Sequence, residues 1–423
     1  MAVHTSPVSF PPTEEKKQQK PPTMRYHSLK QPSKQVVFLY LSLFVCLPLS
    51  ISICNFAEDG AATRGMFVFG SSLVDNGNNN FFESRAKADY LPYGIDFPNG
   101  PSGRFTNGKN VVDLLGDQLK LPSFIPPSKD PSTKGSKIVH GVNHASGSSG
   151  ILDDTGSVAG NVIGLSQQIR DFEEETLPEL EAELGCKSSE SLPSYLFVVG
   201  VGGNDYMFNY FVRRSYLQFG LEAFTRTLIA SLAQKLQVRR GNGLVLIGFE
   251  SETTNLRPNI LFHYDMTHEF KKLYSLGGRK FVVMSINPLG YSPVLNRPNF
   301  IGSPRALSQA AQIYNVQLKI LLDALKRSMP DFNFALVNTY NIMTNIIQNP
   351  ASTGFEDTRN PCCKVTSQIQ GGNGVLCERG GETSANRARN VFFDGLHPTE
   401  ALNFQIASKA YASTLEFDVY PIN

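Results

Sequence analysis

Apolar residues in this chain fall into two kinds of run, and the two kinds alternate. Short unbroken runs occur at MFVFG (66–70), SYLFVVGVG (194–202), RKFVVMSINPLG (279–290) and FNFALVNTY (332–340). Such runs read as strands buried on both faces. Between them lie segments with apolar residues every three or four positions: VVDLLGDQL (111–119), LEAFTRTLIASLAQKLQ (221–237) and LSQAAQIYNVQLKILLDALKRSM (307–329). That spacing gathers the apolar side chains on one helical stripe. Doubly buried strands alternating with helices predict an α/β fold, a mostly parallel sheet with helices on both faces. In such sheets ligands bind beyond the carboxyl ends of the strands. No internal repeat is evident.

One block fits neither pattern. Residues 238–271, VRRGNGLVLIGFESETTNLRPNILFHYDMTHEFK, separate a helix from the strand at 279. Such connections normally take about 2–6 residues. Excising the block joins Gln237 to Lys272, and the helical pattern then runs in phase to Leu276 and stops at Gly277. The block therefore reads as an insertion, translated intron being one origin. A genuine lid loop is the alternative.

The N-terminal region lies outside this scheme. Residues 1–35 are rich in Pro, Lys, Gln and Ser, a composition that predicts disorder. Val36 to Ala57 then form an apolar stretch preceded by Arg25, Lys30 and Lys34. Basic, then apolar, then small residues is the order of a secretory signal. Initiation at Met24 gives it an ordinary length, spanning about 24–57, with cleavage near residues 54 to 62. The stretch is also long enough to cross a bilayer, so an uncleaved anchor is the alternative. Residues 58–423 are expected to form one domain, interrupted at 238–271. The expected product is secreted and extracellular, with no stable membrane insertion after cleavage.

Composition adds bounds. A chain of 423 residues can bury a sizeable core. A net charge of +2 gives no reason to expect a nucleic-acid partner. Of six cysteines, Cys46 and Cys54 fall in the leader; Cys186, Cys362, Cys363 and Cys377 remain. Export permits disulfides, but four cysteines allow three full pairings and the sequence does not choose among them. No Asn lies in an N-x-Ser/Thr sequon.

Four short motifs carry candidate chemistry. Gly70-Ser71-Ser72-Leu73 follows the first strand, so a hydroxyl is presented at the sheet's binding edge. A serine hydroxyl needs an adjacent base to become a nucleophile. Asp394-Gly-Leu-His397-Pro398 supplies one, with Asp and His on one side of a single turn. The Asp can hold one ring nitrogen while the other takes the serine proton. Gly202-Gly203-Asn204-Asp205 follows the strand at 194, and the Asn204 amide suits a developing oxyanion. Gly141-Val-Asn-His-Ala-Ser-Gly147-Ser148-Ser149-Gly150 can offer backbone N–H groups to the same charge. Taken singly, each has a plain structural reading as a turn, a surface His with a carboxylate, an Asx-stabilised loop and a flexible loop.

Together they form a known pattern. FVFGSSLVDNGNNNF (67–81) closely resembles the first block of plant GDSL esterases/lipases, in the SGNH hydrolase superfamily. PSGRFTNGKNVVDLL, GVNHASGSSGILDDTG, VGGNDY, RKFVVMSINPLG and VFFDGLHPTEALN follow in that family's order, over about residues 64–237 and 272–415. The resemblance implies a three-layer α/β/α sandwich with a flavodoxin-like sheet. It implies a triad of Ser72, His397 and Asp394, with oxyanion donors at Ser72, Ser148 or Gly150, and Asn204. It also implies a carboxylic ester or acyl lipid substrate, and no metal or organic cofactor. An impaired member acting as a binding protein, or a non-functional isoform, is the alternative.

The chain departs from the family pattern at several positions. Ser71 stands where the signature has Asp, and Ser148 where the oxyanion Gly usually falls. Tyr291 and Ser384 replace family cysteines. One family disulfide is therefore expected to be missing, leaving one of Cys362, Cys363 and Cys377 without its usual partner, with Cys186 as a possible substitute.

Overall fold

The structure is a computed structural model and describes residues 63–214, 217–236, 273–296, 302–329, 331–366 and 374–421. The 1–57 extension and leader, and the 238–271 block, lie outside the described residues. All described residues belong to a unit spanning Ser52–Asn423.

Each apolar run noted above forms a strand: β1 (Gly65–Gly70), β2 (Tyr195–Gly200), β3 (Lys280–Met284) and β4 (Asn333–Val337). These four pair in parallel, in the order β1-β2-β3-β4. A small separate pair, β5 (Asp357–Pro361) and β6 (Asn390–Phe392), lies near the C-terminal motif, and β7 (Val419–Tyr420) closes the main sheet antiparallel to β4. On the far side of β1 an irregular segment, residues 140–146, runs alongside in parallel. Met66 and Val68 donate to the carbonyls of His140 and Val142, while His144 and Ser146 donate back to Val68 and Gly70. With that segment counted, the second sheet element in sequence lies outside the first. The order is then 2-1-3-4-5, the flavodoxin-like arrangement, and strand order reverses at β1.

Side-chain alternation along the strands builds two cores. Phe67 and Phe69 of β1, Phe197 of β2, Phe281 of β3 and Phe334 of β4 point to one face. There they meet α2 (Leu165–Asp171), α3 (Leu177–Leu184), α4 (Gly220–Leu236) and α5 (Pro304–Ser328). Met66, Val68, Val198, Met284 and Val337 point to the other. That face is covered by α1 (Val111–Gln118), α6 (Thr339–Gln348) and α7 (Glu400–Ala412). This is the three-layer α/β/α sandwich expected from the alternation of runs.

Helix starts follow capping chemistry. Asn110 caps α1, its side chain accepting the N–H groups of Val112 and Asp113, while Asp113 reaches back to the Asn110 N–H. Ser303, Asn338 and Thr399 cap α5, α6 and α7 in the same sense. The chain re-enters the description at Leu273, in turns that end at Gly277, where φ is 123°. That conformation favours glycine, and β3 begins three residues later.

Candidate active site

Ser72 sits just past the carboxyl end of β1, the strand at which sheet order reverses. The end of that strand is pinned. Gly70 has φ 147°, and a Cβ on it would meet the Gly200 carbonyl at 2.2 Å, so β1 and β2 approach as only glycine allows. The Gly70 N–H donates to Gln168 Oε1 at 2.8 Å, and its carbonyl accepts Gln168 Nε2 at 2.9 Å and Ser149 Oγ at 2.8 Å. Ser71 donates its N–H to the Gly200 carbonyl, and its own carbonyl accepts the Val74 N–H, closing the turn that carries Ser72.

The polar run Asp75 to Asn80 is a scaffold buried beneath this turn. Asp75 Oδ1 accepts the N–H groups of Gly77 and Asn78, and its Oδ2 accepts that of Gly147. Asn78 donates to the Asn143 and Ala145 carbonyls, Asn79 holds Ser146 and Gly147, and Asn143 donates to the Val74 carbonyl. Buried amides must find partners. Here they lash the nucleophile turn to the glycine loop. Burial pushes the Asp75 carboxyl up to about 6, against the opposing pull of its N–H donors and Arg104. Asp75 is thus the carboxylate that fixes this region, four residues beyond Ser71.

Asp205 does the same from the other side. It opens a π-helical stretch, Asp205–Val212, and its carboxylate accepts Ile151 N, Leu152 N and Thr155 Oγ1 at 2.7–3.0 Å. Burial raises it too, to about 6. Asn204 donates one amide N–H to the Ser149 carbonyl at 2.9 Å, which orients its side chain, and lines the pocket beside Ser72. Ser148 adopts φ 69°, the left-handed conformation that favours glycine. Ser148 and Gly150 belong to the loop but do not line the Ser72 pocket; the Gly150 Cα faces Thr155 and Asp205.

Asp394 and His397 follow β6 on a tight turn. The N–H groups of Leu396 and His397 donate to Asp394 Oδ1 at 2.8 and 2.7 Å. His397 Nδ1 lies 2.8 Å from Asp394 Oδ2, and its Nε2 lies 2.8 Å from Ser72 Oγ. A carboxylate only accepts, so Nδ1 carries the ring proton and Nε2 is free to accept from the serine hydroxyl. The Phe105 ring packs against the imidazole at 5.0 Å between centroids. Ser72, His397 and Asp394 are all buried, at 7, 3 and 0% exposure, so their interactions are little screened by water.

The pocket beside Ser72 runs along the carboxyl ends of β2 and β3. Its walls are mainly apolar, with Met207, Met284, Ile286, Leu289, Met343 and Leu396 lining it together with Ser72, Asn204 and His397. The sequence motifs identified Ser72, Asn204, Asp394 and His397. They did not identify Gln168, Asp75, Asp205 or Tyr93, whose hydroxyl donates to Asp394 Oδ2 at 2.7 Å. A buried Tyr next to a Pro-Gly turn carries no local signal of its target 301 residues away.

The cysteines resolve the pairing that sequence left open. Cys363 is bonded to Cys377, and Cys362 is a buried free thiol. Cys186 bonds to none of these three, so it does not act as the substitute partner. Ser384, in the position of a family cysteine, donates its N–H to the Cys362 carbonyl at 2.8 Å.

Comparison with known proteins shows the family. The sequence profile of the family described as GDSL-like Lipase/Acylhydrolase matches residues 66–410. The chain is 34% identical to GDSL esterase/lipase At4g16230 of Arabidopsis thaliana, over 90% of this chain and 96% of that protein. It is 36% identical to GDSL esterase/lipase At5g08460 of the same plant, over 87 and 88% of the two chains.

Proposed function

Because the chain belongs to the GDSL-like lipase/acylhydrolase family, we propose that it hydrolyses carboxylic esters by acyl transfer through Ser72. The observation that carries this reading is the continuous hydrogen-bonded line Ser72 Oγ, His397 Nε2, His397 Nδ1 and Asp394. His397 takes the Ser72 proton as Oγ attacks the ester carbonyl, and Asp394 stabilises the imidazolium so formed. The negative charge on the carbonyl oxygen is met by the Ser72 N–H and the Asn204 amide, the two of the expected donors that line the pocket. One such donor contributes about 3–4 kcal/mol to the transition state. His397 then returns the proton to the departing alcohol. Water, deprotonated by the same imidazole, cleaves the acyl-serine and releases the acid.

The apolar pocket supports an acyl group of hydrocarbon character, from a small-molecule or lipid ester. Ser72, Asn204 and His397 line this same pocket, where the ester carbonyl would sit. The leader at 36–57 and the Cys363–Cys377 bond support secretion, since disulfides persist in oxidising compartments. A second reading, a protein that binds esters with little turnover, is favoured by Ser71 in place of the family Asp. Turnover of p-nitrophenyl esters and labelling by a fluorophosphonate separate the two. Ser72→Ala is expected to abolish both while leaving the circular dichroism spectrum unchanged. Undiminished turnover by this variant would exclude Ser72 as the nucleophile. Turnover and labelling absent from the parent chain would favour the binding reading.

A further inference from the structure

Tyr93 lies at the end of the triad and takes no part in the mechanism above. It is fully buried, with its ring enclosed edge-on by Tyr90, Phe105 and Phe393 at 5.3–6.2 Å between centroids. Phe105 also packs on the His397 ring, so Tyr93 and the imidazole share one aromatic wall. The phenol makes two hydrogen bonds of fixed direction. The Cys377 N–H, which can only donate, gives its proton to the Tyr93 oxygen at 3.1 Å. The phenol's single proton is thereby directed at Asp394 Oδ2, 2.7 Å away. Oδ2 is also the oxygen nearer to His397 Nδ1. Among the described residues, Tyr93 and His397 are the only side chains that hydrogen-bond to Asp394.

We propose that Tyr93 is a positioning residue for the Asp394–His397 pair, its phenol proton, steered by the Cys377 N–H, fixing the carboxylate and moderating its hold on the imidazolium. The inference rests on the assignment of Ser72 and His397 as nucleophile and base. Physically, a carboxylate buried away from water needs donors to remain ionised. Two backbone N–H groups serve Oδ1, and the phenol serves Oδ2. Burial and the neighbouring Asp394 charge push the phenol well above its usual range, so it stays a donor across the working pH. Cys377 is itself tied to Cys363, so the disulfide anchors the far end of the line that ends at Ser72. Among the described residues, Tyr90 also faces this end; its hydroxyl is committed to the Cys377 carbonyl, and the Arg379 guanidinium lies over its ring.

Tyr93→Phe keeps the ring and removes the proton. A hydrogen bond to a charged group has the size that makes its loss about a tenfold or larger fall in kcat, with KM little changed. The sign on pH follows. Asp394 without its phenol donor is a stronger base and holds the imidazolium more tightly. The acidic limb of kcat/KM therefore moves to higher pH. The His397 ring signal, followed by NMR without any substrate, moves the same way. Tyrosines fluorinated to rising acidity at position 93 should shift the limb in the opposite direction, and they guard against a Phe variant that folds poorly. Equal kcat, an unmoved limb and an unmoved His397 signal in folded Tyr93→Phe would overturn the inference. So would a loss of activity that only tracks a lower melting temperature. A parent chain without fluorophosphonate labelling would instead defeat the hydrolase reading, and the NMR titration would still decide the role of Tyr93.

Discussion

His144 shows how a single residue sets pH behaviour away from the chemistry. It stacks on Phe69 at 5.4 Å and is edge-on to Phe172, and its Nε2 bonds to Thr176 at 3.2 Å. Its Nδ1 has no partner among the described residues. Desolvation lowers it to about 3. The folded chain keeps this ring neutral while the unfolded chain protonates it below about 6.5. Stability from this site is therefore complete above that pH and is lost as pH falls toward 3, by about 1.4 kcal/mol per unit. Asp75 and Asp205 act oppositely. Raised to about 6, each takes up a proton in the folded state first, so its contribution is complete below about 4 and declines as pH rises through 6. His144→Phe removes only the first effect. Its stability in urea, measured from pH 7 to 4, should gain steadily on the parent as pH falls. At pH 7 it should be equal or about 1 kcal/mol lower, because Thr176 loses its partner. A constant difference across that range would show that His144 does not govern the acid response.

At the scale of elements, the segments at 362–366 and 376–384 are joined by isolated antiparallel bridges, and their covalent tie differs from the family pattern. Cys363 pairs with Thr383 in an antiparallel bridge, so Cys362 stands opposite Ser384. Directly opposed residues have Cα separations of about 4.5–5.5 Å, within reach of a disulfide. The Cys362 thiol is held up at about 11, burial being the main cause, and is a poor nucleophile for stray chemistry. Ser384→Cys should close a second bond under oxidising conditions. Its gain is expected at about 1–2 kcal/mol, below the 3–4 typical of an unconstrained loop, because Cys363–Cys377 already closes most of it. Thiol titration should find one fewer free group, and the melting temperature should rise by a few degrees only without reductant. A rise that survives reductant would point to packing of the new side chain instead.

At the scale of the whole molecule, the sandwich places the candidate reacting groups at one edge of one sheet. Ser72, Asn204 and the pocket walls at 284–289 lie past the carboxyl ends of β1, β2 and β3, while His397 arrives from the C-terminal segment. Residues 238–271, between α4 and β3, lie outside the described residues; the sequence reads them as an insertion, with a lid loop as the alternative, because the flanking pattern remains in helical phase without them. Deletion of 238–271 should raise the yield of folded protein and preserve turnover, measured on the purified chain. A fall in turnover with intact folding would identify the block as a lid. No helix among the described residues is long and apolar enough to cross a membrane.

The sequence by itself determined the layers, because burial on both faces requires unbroken apolar strands such as MFVF and FVV, and burial on one requires helical stripes. It also singled out Ser72, Asn204, Asp394 and His397 as candidates, and the fold brings them together, because their motifs sit directly after strands or within one turn, where spacing of a few residues controls geometry. It failed where order came from long-range pairing. The segment at 140–146 lacks a strand's regular pattern and was legible only as a Gly/Ser loop, yet it completes the sheet beside β1. The helix at 339–348 was hidden behind the run FNFALVNTY, whose last residues cap and start it. Only the tertiary structure joined Tyr93 to Asp394, Gln168 to Gly70 and Asp75 to Gly147. Those partners are 72 to 301 residues apart, and a buried hydrogen bond is decided by which polar groups folding leaves without water. It likewise decided which cysteine stays free, since pairing depends on Cβ separations that no spacing along the chain encodes.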